Sequence, residues 1–326
     1  MKITFLGKNA STFVPGFAEL LNFPADIHVV SDRLDQIGET DALSSSDVVI
    51  GIKYSADMPD LSARLFQLPA AGYDGVDFAA LPGSCSVCNA FGHETAIAEY
   101  VMTALLMRHV PIADADARLR NGDWHYWAGG PNGLRSELAS QTIGIVGHGH
   151  IGKAIAERAQ AFGMTVHVAN RSALGQTPYA GTWSLGDLNK MAAKVDILIN
   201  TLPLAPETKG LINAAVLSAL PRHAIVMNVG RGAVVDERDL FNALAAEQLG
   251  GAIIDTWYVY PSPDDPNPMP GNLPFQSLPN VIITPHMSGW TNGTVRRRTE
   301  TCAENVNRLA AGQPLINLIG AGRRGV

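Results

Sequence analysis

Residues 142–163 read TIGIVGHGHIGKAIAERAQAFG. The apolar run Ile143 to Val146 has the length of a buried parallel strand, and it runs directly into Gly147, Gly149 and Gly152, spaced G-x-G-x-x-G. Gly147 permits a tight turn, Gly149 lets the backbone approach a pyrophosphate, and Gly152 lets the following helix pack on the strand while its N-terminal amides face the anion. A bare G-x-G-x-x-G is weak evidence, because a tight glycine turn with no ligand gives the same spacing. Here a second strand, Thr165 to Ala169, follows the helix. The full strand, helix, strand context reads as a dinucleotide-binding fingerprint.

The 326 residues suffice for about two domains, and an apolar content of 46% is ample for their cores. The formal net charge is −6, and the longest basic run is Arg296-Arg297-Arg298, so neither a nucleic-acid partner nor a membrane surface has electrostatic support. A small diffusible ligand fits better. The N-terminal stretch MKITFLGKNA has few apolar residues before polar ones, and no stretch approaches the roughly 20 apolar residues of a membrane span, so a cytoplasmic protein is expected. Cys85 and Cys88 form one C-x-x-C without a second pair, and Cys302 stands apart. That pattern favours free thiols over a zinc site or a disulfide framework, and no metal is expected.

A nucleotide fingerprint normally opens its domain, yet this one begins after about 140 residues, roughly a domain's worth of chain. Before it come short apolar runs at Lys2 to Leu6, Ile27 to Val30, Val48 to Ile52, Leu65 to Leu68 and Ser86 to Asn89, separated by polar or helix-like segments. This alternation predicts a parallel sheet. Residues His93 to Leu119 are apolar-periodic and interrupted by Pro111, suiting a long or kinked helix, and NGDWHYWAGGPNG at 121–133 reads as a loop. Strand candidates recur at Asp196 to Asn200, Ala224 to Asn228, Ala252 to Asp255 and Val281 to Thr284, completing a doubly wound sheet. A last helix is expected near Asn292 to Ala311, and the tail from Leu315 reads as loosely structured.

Open α/β sheets bind ligands outside the carboxyl ends of their strands. The polar residues that follow the apolar runs are Asn170-Arg171-Ser172, the segment Asn228 to Gly232, Asp255, and Thr284-Pro285-His286. Arg231, between two glycines, has a planar fork suited to a carboxylate or carbonyl, although a solvated loop arginine is the plainer reading. His286 suits general acid and base work because its unperturbed pKa lies close to neutrality, and a buried hydrogen-bonded histidine is the alternative.

Seven motifs in order carry a resemblance that runs nearly end to end: LPAAGYDGVD (68–77), NAFGHETAIAEY (89–100), TIGIVGHGHIG (142–152), NTLPLAPETKGLIN (200–213), NVGRGAVVDERDL (228–240), GGAIIDTW (250–257) and TPHMSG (284–289). On these the chain resembles the D-2-hydroxyacid dehydrogenases, which also include formate and phosphite dehydrogenases, hydroxypyruvate/glyoxylate reductases and phosphoglycerate dehydrogenase. The resemblance implies two doubly wound parallel-sheet domains of α/β class. A Rossmann coenzyme domain, residues 98–288, would be inserted into a flavodoxin-like substrate domain made of 1–97 and 289–326, with catalysis in the cleft.

It further implies that Arg231 binds substrate, that His286 transfers the proton, and that Asp255 helps to hold the nicotinamide carboxamide. Backbone amides of Ala71, Gly72 and Tyr73 would receive the substrate carboxylate. The cofactor contacts implied are Gly147, Gly149, His150, Ile151, Gly152, Asn170, Arg171, Ser172, Thr201, Pro203, Thr208, Val229, Gly230, Asp255, His286 and Gly289. A homodimer through the coenzyme domains is expected, with the loop Trp124 to Gly133 contributing.

Two positions depart from the family's pattern. Tyr260 occupies the place of the glutamate that normally partners the histidine, where formate dehydrogenases carry glutamine, with Asp264 or Asp265 as other candidate partners. Asn170 stands where NAD-dependent members have an aspartate, and Arg171 beside it can pair with a 2′-phosphate, so NADP is expected as the preferred cofactor, with NAD usable. The leading expectation is an NADP-linked reductase of a small 2-oxo acid such as glyoxylate or hydroxypyruvate. A formate or phosphite dehydrogenase and a nucleotide-sensing co-repressor are the rivals. Lys53, Tyr54, Tyr73, Tyr260 and Trp290 are candidate pocket residues that are equally compatible with core packing.

Overall fold

In the computed structural model, which describes residues 1–262 and 264–324, the apolar runs form two sheets, one in each of two units. The first unit holds Met1–His93, Ser262–Pro266 and the chain from Trp290 onward. The second holds Glu94–Pro261 and Asn267–Gly289.

In the first unit β1 (Lys2–Leu6), β2 (Asp26–Val30), β3 (Val48–Ile50), β4 (Leu65–Gln67) and β5 (Ser86–Cys88) lie in the order β2-β1-β3-β4-β5, all parallel. This is the flavodoxin-like winding. Its central strands are covered on both faces, which is why β1 and β3 are buried at successive positions rather than at alternate ones. The tail departs from expectation. Leu318–Ala321 forms a strand that pairs antiparallel with β5, extending the sheet by one strand. Its four residues include a glycine and carry no period, so only the unpaired edge of β5 reveals the partner.

Helix Asn292–Ala310 starts at Thr291, whose hydroxyl accepts the Thr294 amide at 3.2 Å, and it buries Cys302, Ala303 and Val306 in the same core as Ile3, Phe5 and Val48. Asn305 on that helix is fully buried. Its amide donates to Gln67 Oε1 at 2.7 Å and to the Ile316 carbonyl at 2.9 Å, so sheet, helix and tail share one satisfied polar group.

The second unit opens with helix Glu94–His109, which buries Ile97, Val101 and Leu105 in one core with Ile155, Ala156 and Ala159 of helix His150–Ala161. The expected long or kinked helix is two separate helices, divided at the Pro111 that interrupts the pattern. Pro111 cannot continue the hydrogen-bond ladder, and a separate helix, Ile112–Arg120, starts after it. The sheet comprises β6 (Thr142–Val146), β7 (Thr165–Asn170), β8 (Gly181–Ser184), β9 (Ile197–Asn200), β10 (Ile225–Asn228), β11 (Gly251–Ile254) and β12 (Val281–Ile283). The order is β12-β11-β10-β9-β6-β7-β8, all parallel, so the winding reverses at β6. Edge strand β8 is only four residues long, and its two strand-favouring residues, Thr182 and Trp183, are flanked by glycine and serine, so it has no apolar run to mark it.

Register then sets the site. Val146 pairs with Ala169 and Asn200, Asn200 with Asn228, Asn228 with Ile254, and Ile254 with Ile283. The next residues along the chain are Gly147, Asn170, Thr201, Val229, Asp255 and Thr284, so the loops that carry the candidates leave the sheet at one level. Among the described residues no helix is long and apolar enough to cross a membrane.

Candidate active site

The fingerprint turn has the geometry its glycines suggest. Gly147 has φ +105°, and a Cβ there would lie 2.7 Å from Thr201 Oγ1; one on Gly152 would lie 2.0 Å from the Gly147 carbonyl oxygen. A Cβ on Gly149 would meet nothing within 4 Å. The loop is therefore tight where helix meets strand and open where an anion would approach helix His150–Ala161, so these residues fit a dinucleotide pyrophosphate. The Thr201 hydroxyl donates to the carbonyls of Val146 (2.9 Å) and Gly147 (3.1 Å), holding the turn from the neighbouring strand end.

Asn170 braces the same turn. Its Oδ1 accepts the His148 amide at 3.3 Å and its Nδ2 donates to the Ser172 carbonyl at 3.0 Å. Beside it His148 Nε2 lies 2.8 Å from the Tyr179 hydroxyl; burial pushes the imidazole pKa below its ordinary value, and Lys153 adds to this. Arg171 Nη1 stands 3.3 Å from Glu207 Oε1, with 77% and 54% of the two side chains exposed. Thr208, an expected cofactor contact, is buried and spends its hydroxyl inside its own loop, donating to the Pro203 carbonyl and accepting the Ala205 amide, both at 2.8 Å. Its visible work is to shape that loop.

Arg231 is carried by a loop that two buried asparagines organise. Asn200 and Asn228 sit opposite each other at the ends of β9 and β10, and Asn200 Nδ2 donates to Asn228 Oδ1 at 2.8 Å. Asn228 Nδ2 donates to the Arg231 carbonyl at 3.1 Å, while Asn228 Oδ1 accepts the Gly230 amide at 3.2 Å. The Val229 amide donates to the Asn200 carbonyl at 3.2 Å, and Arg231 Nη1 donates to the Gly230 carbonyl at 3.0 Å. Side chains at Gly230 or Gly232 would strike the Leu202 carbonyl at 2.6 Å or the Trp257 carbonyl at 2.2 Å. Sequence reasoning quoted both asparagines inside motifs without seeing their partnership, although a polar residue ending each of two apolar strands was the available signal.

His286 is exposed and takes a left-handed backbone, φ +56°. Asp255, 0% exposed, is committed to this turn: Oδ1 accepts the Thr284 hydroxyl (2.6 Å) and the Met287 amide (2.9 Å), and Oδ2 accepts the Ser288 amide (3.0 Å). The resemblance implies a nicotinamide contact for Asp255, and in the structure its carboxylate also holds the turn that ends at Gly289. Trp257 Nε1 donates to the Thr284 carbonyl at 2.7 Å, and Tyr100 places its hydroxyl 2.7 Å from Thr284 Oγ1. The Tyr260 ring lies 5.5 Å from the His286 ring, tilted by 53°, and its hydroxyl accepts the Trp257 amide at 3.0 Å. Asp264 is paired with Arg33 at 3.0 Å within the first unit.

In the first unit the turn Ala71-Gly72-Tyr73 follows β4. Asn89 Nδ2 donates to the Ala71 carbonyl at 2.8 Å and the Ala90 amide to the Ala70 carbonyl at 3.0 Å, which fixes the turn from behind and leaves Tyr73 half exposed. Lys53 is exposed, and Trp290 is partly exposed beside Phe13. Tyr54 belongs to the core: it is 0% exposed and its hydroxyl donates to the Pro59 carbonyl at 2.8 Å. In the second unit Trp124 and Trp127 are exposed on a loop that Tyr126 ties to Asp114 at 2.9 Å.

The sequence matches the model of the D-isomer specific 2-hydroxyacid dehydrogenase NAD-binding domain over residues 102–288. It is 33% identical to a glycerate dehydrogenase of Methylorubrum extorquens over 269 residues, 79% of this chain and 78% of that one. It is also 33% identical to a hydroxyphenylpyruvate reductase of Plectranthus scutellarioides over 205 residues, 63% of this chain and 61% of that one, so it spans less than two thirds of that relative. The fold matches an NADPH-dependent glyoxylate/hydroxypyruvate reductase of Sinorhizobium meliloti, solved with NADP and malonate, at TM-score 0.78 and 26% identity over 99% of both chains.

Proposed function

The chain belongs to the D-isomer specific 2-hydroxyacid dehydrogenase family and is a hydride-transferring oxidoreductase, and from this premise we propose that it uses NADPH, with NADH tolerated, to reduce a small 2-oxo acid of the glyoxylate or hydroxypyruvate type to the D-2-hydroxy acid. Residues 98–288 take the cofactor in this reading, and 1–97 with 289–326 contribute to the substrate. The observation that carries it is the shared level of the strand ends, which brings the glycine turn, the Arg231 loop and the His286 turn to one edge of one sheet.

The pyrophosphate is held by the turn from Gly147 to Gly152, and the adenine-side ribose by Asn170, Arg171 and Ser172. The nicotinamide supplies the hydride. Arg231 binds the substrate carboxylate and polarises the 2-oxo group through its planar fork, a role for which the asparagine pair pre-sets the main chain. His286 delivers a proton to the substrate oxygen as negative charge develops there. Main-chain amides of Ala71, Gly72 and Tyr73 are additional donors for a carboxylate. The exposed tryptophans at 124 and 127 support a homodimer built through the cofactor-binding portion.

The test is a screen of 2-oxo acids with NADPH and NADH beside formate and phosphite with the oxidised cofactors, repeated in Arg231→Ala and His286→Asn. The expected result is turnover of a small 2-oxo acid, with KM raised and kcat lowered in the arginine variant and mainly kcat lowered, by about 10²–10⁴, in the histidine variant. Turnover of formate or phosphite alone refutes the substrate class, and absence of any turnover favours a nucleotide-sensing role.

A further inference from the structure

We propose that Tyr100, Thr284 and Asp255 form a directed chain of hydrogen bonds that positions the His286 imidazole, making Tyr100 and Thr284 positioning residues for proton transfer. The inference rests on the assignment of His286 as the proton donor.

The direction of the chain follows from counting protons. Thr284 has one hydroxyl proton and gives it to Asp255 Oδ1 at 2.6 Å. At the 2.7 Å contact with Tyr100, Thr284 Oγ1 can then only accept, so the tyrosine hydroxyl donates. Each member thereby fixes the next. Tyr100, on helix Glu94–His109, orients the Thr284 rotamer; Thr284 and the amides of Met287 and Ser288 converge on the two oxygens of a carboxylate that is itself 0% exposed. Residues 284, 287 and 288 bracket His286, and the indole of Trp257 holds the Thr284 carbonyl at 2.7 Å. With both flanks tied to one anchor, His286 is held in a left-handed backbone that few non-glycine residues adopt unaided.

The burial of Tyr100 agrees with this. Loss of solvent pushes its phenol pKa up, the hydrogen bond to Thr284 opposes that, and the Asp255 charge adds to the rise, so the tyrosine keeps the proton the chain requires. Nothing here asks Tyr100 or Thr284 to touch substrate. Their effect passes through the main chain of residues 284–288, where a displacement of about 1 Å can cost of order a hundredfold in rate.

The experiment compares Tyr100→Phe, Thr284→Val, Thr284→Ser and His286→Asn in the full chain. Thr284→Val keeps shape and removes the hydroxyl; Thr284→Ser keeps the hydroxyl. The expected result is a fall in kcat of about tenfold in Thr284→Val and about threefold or more in Tyr100→Phe. The 2-oxo acid KM and the NADPH Kd from fluorescence titration stay within twofold, and Thr284→Ser recovers most of the rate. In the protein without ligands the His286 ring resonances, identified by their loss in His286→Asn, should be narrow in wild type and Thr284→Ser and shifted or broadened in Thr284→Val. A defect that was merely structural would lower the melting temperature and weaken NADPH binding in parallel. Should Thr284→Val fail to fold, Tyr100→Phe carries the same test from the outer end of the chain. Wild-type kcat and unmoved ring resonances in Tyr100→Phe and Thr284→Val, with His286→Asn inactive, overturn the positioning role and leave the proposed function standing. An active His286→Asn overturns the proposed function itself.

Discussion

Cofactor choice turns on Arg171 and what competes for it. Its guanidinium stands 3.3 Å from Glu207, and both side chains are more than half exposed, so the pair is worth no more than about 1 kcal/mol. A charge-assisted hydrogen bond from arginine to a ribose 2′-phosphate is worth about 1.5–3 kcal/mol, and the exposure of Arg171 argues for the lower figure, equivalent to about tenfold in an equilibrium constant. On these figures the phosphate should outcompete Glu207, whose pairing would still weaken NADPH binding by up to about fivefold. Net of the pair with Glu207, Arg171→Ala should lower kcat/KM for NADPH about twofold to tenfold and leave the NADH value within twofold. Glu207→Gln should raise the NADPH value by up to about fivefold, and both effects should shrink between 0.05 M and 0.5 M salt, as exposed charges are screened. Asn170→Asp should turn the preference toward NADH. The carboxylate can still accept the His148 amide, but it loses the donor to the Ser172 carbonyl and sets a negative charge where the 2′-phosphate would lie. The assay is initial rates with each cofactor at fixed 2-oxo acid. An NADPH to NADH ratio in Arg171→Ala equal to that of wild type would refute the reasoning.

Three further outcomes are expected. Tyr260→Glu places a carboxylate beside His286, 5.5 Å between rings in the native pair, so the alkaline limb of kcat/KM for 2-oxo acid reduction should move up by about one pH unit; an unmoved limb in a folded, active variant removes Tyr260 as the histidine's partner. Burial pushes the thiols of Cys85, Cys88 and Cys302 up to about 12, 11 and 12, so Ellman's reagent at pH 8 should label them only on unfolding. These groups leave stability unchanged below about pH 8.5, the ordinary thiol pKa; above it the unfolded chain loses protons that the folded chain keeps, so melting temperature should fall as pH rises toward 11. Rapid native labelling of all three would contradict the buried placement.

Much of the fold was legible because its strands are short, apolar and separated by turn chemistry. Thr142 to Gly163 carried strand, turn and helix in one run, and the glycines do locally what their spacing suggests. What stayed illegible depends on partners remote in sequence. The strand Leu318–Ala321 exists because β5 offers an unpaired edge, and β8 because β7 does. Tyr54 follows a strand just as the candidate site residues do, yet it is 0% exposed, since a sequence shows where a side chain leaves a strand and not what closes over it. The Asn200 and Asn228 pair needed the register of β9 against β10 before its two members could be seen as one device.

The proposed function makes His286 the proton donor. A carboxylate hydrogen-bonded to a histidine ring does two things at once: it orients the ring and stabilises its charged form. On the proposed reading, Asp255 contributes to the first task. Tyr260, a neutral side chain, is the ring's aromatic neighbour, and its hydroxyl accepts the Trp257 amide. The carboxylate of Asp255 is bonded to the residues on either side of His286, through their amides and the Thr284 hydroxyl. That contribution would pass through the main chain, where hydrogen bonds to a fully buried acceptor are shielded from competing water and cost most to break. Changes at Tyr260 should therefore be read along the pH axis and changes at Thr284 along the kcat axis, because the first alters how readily the imidazole holds a proton and the second alters where that proton is held.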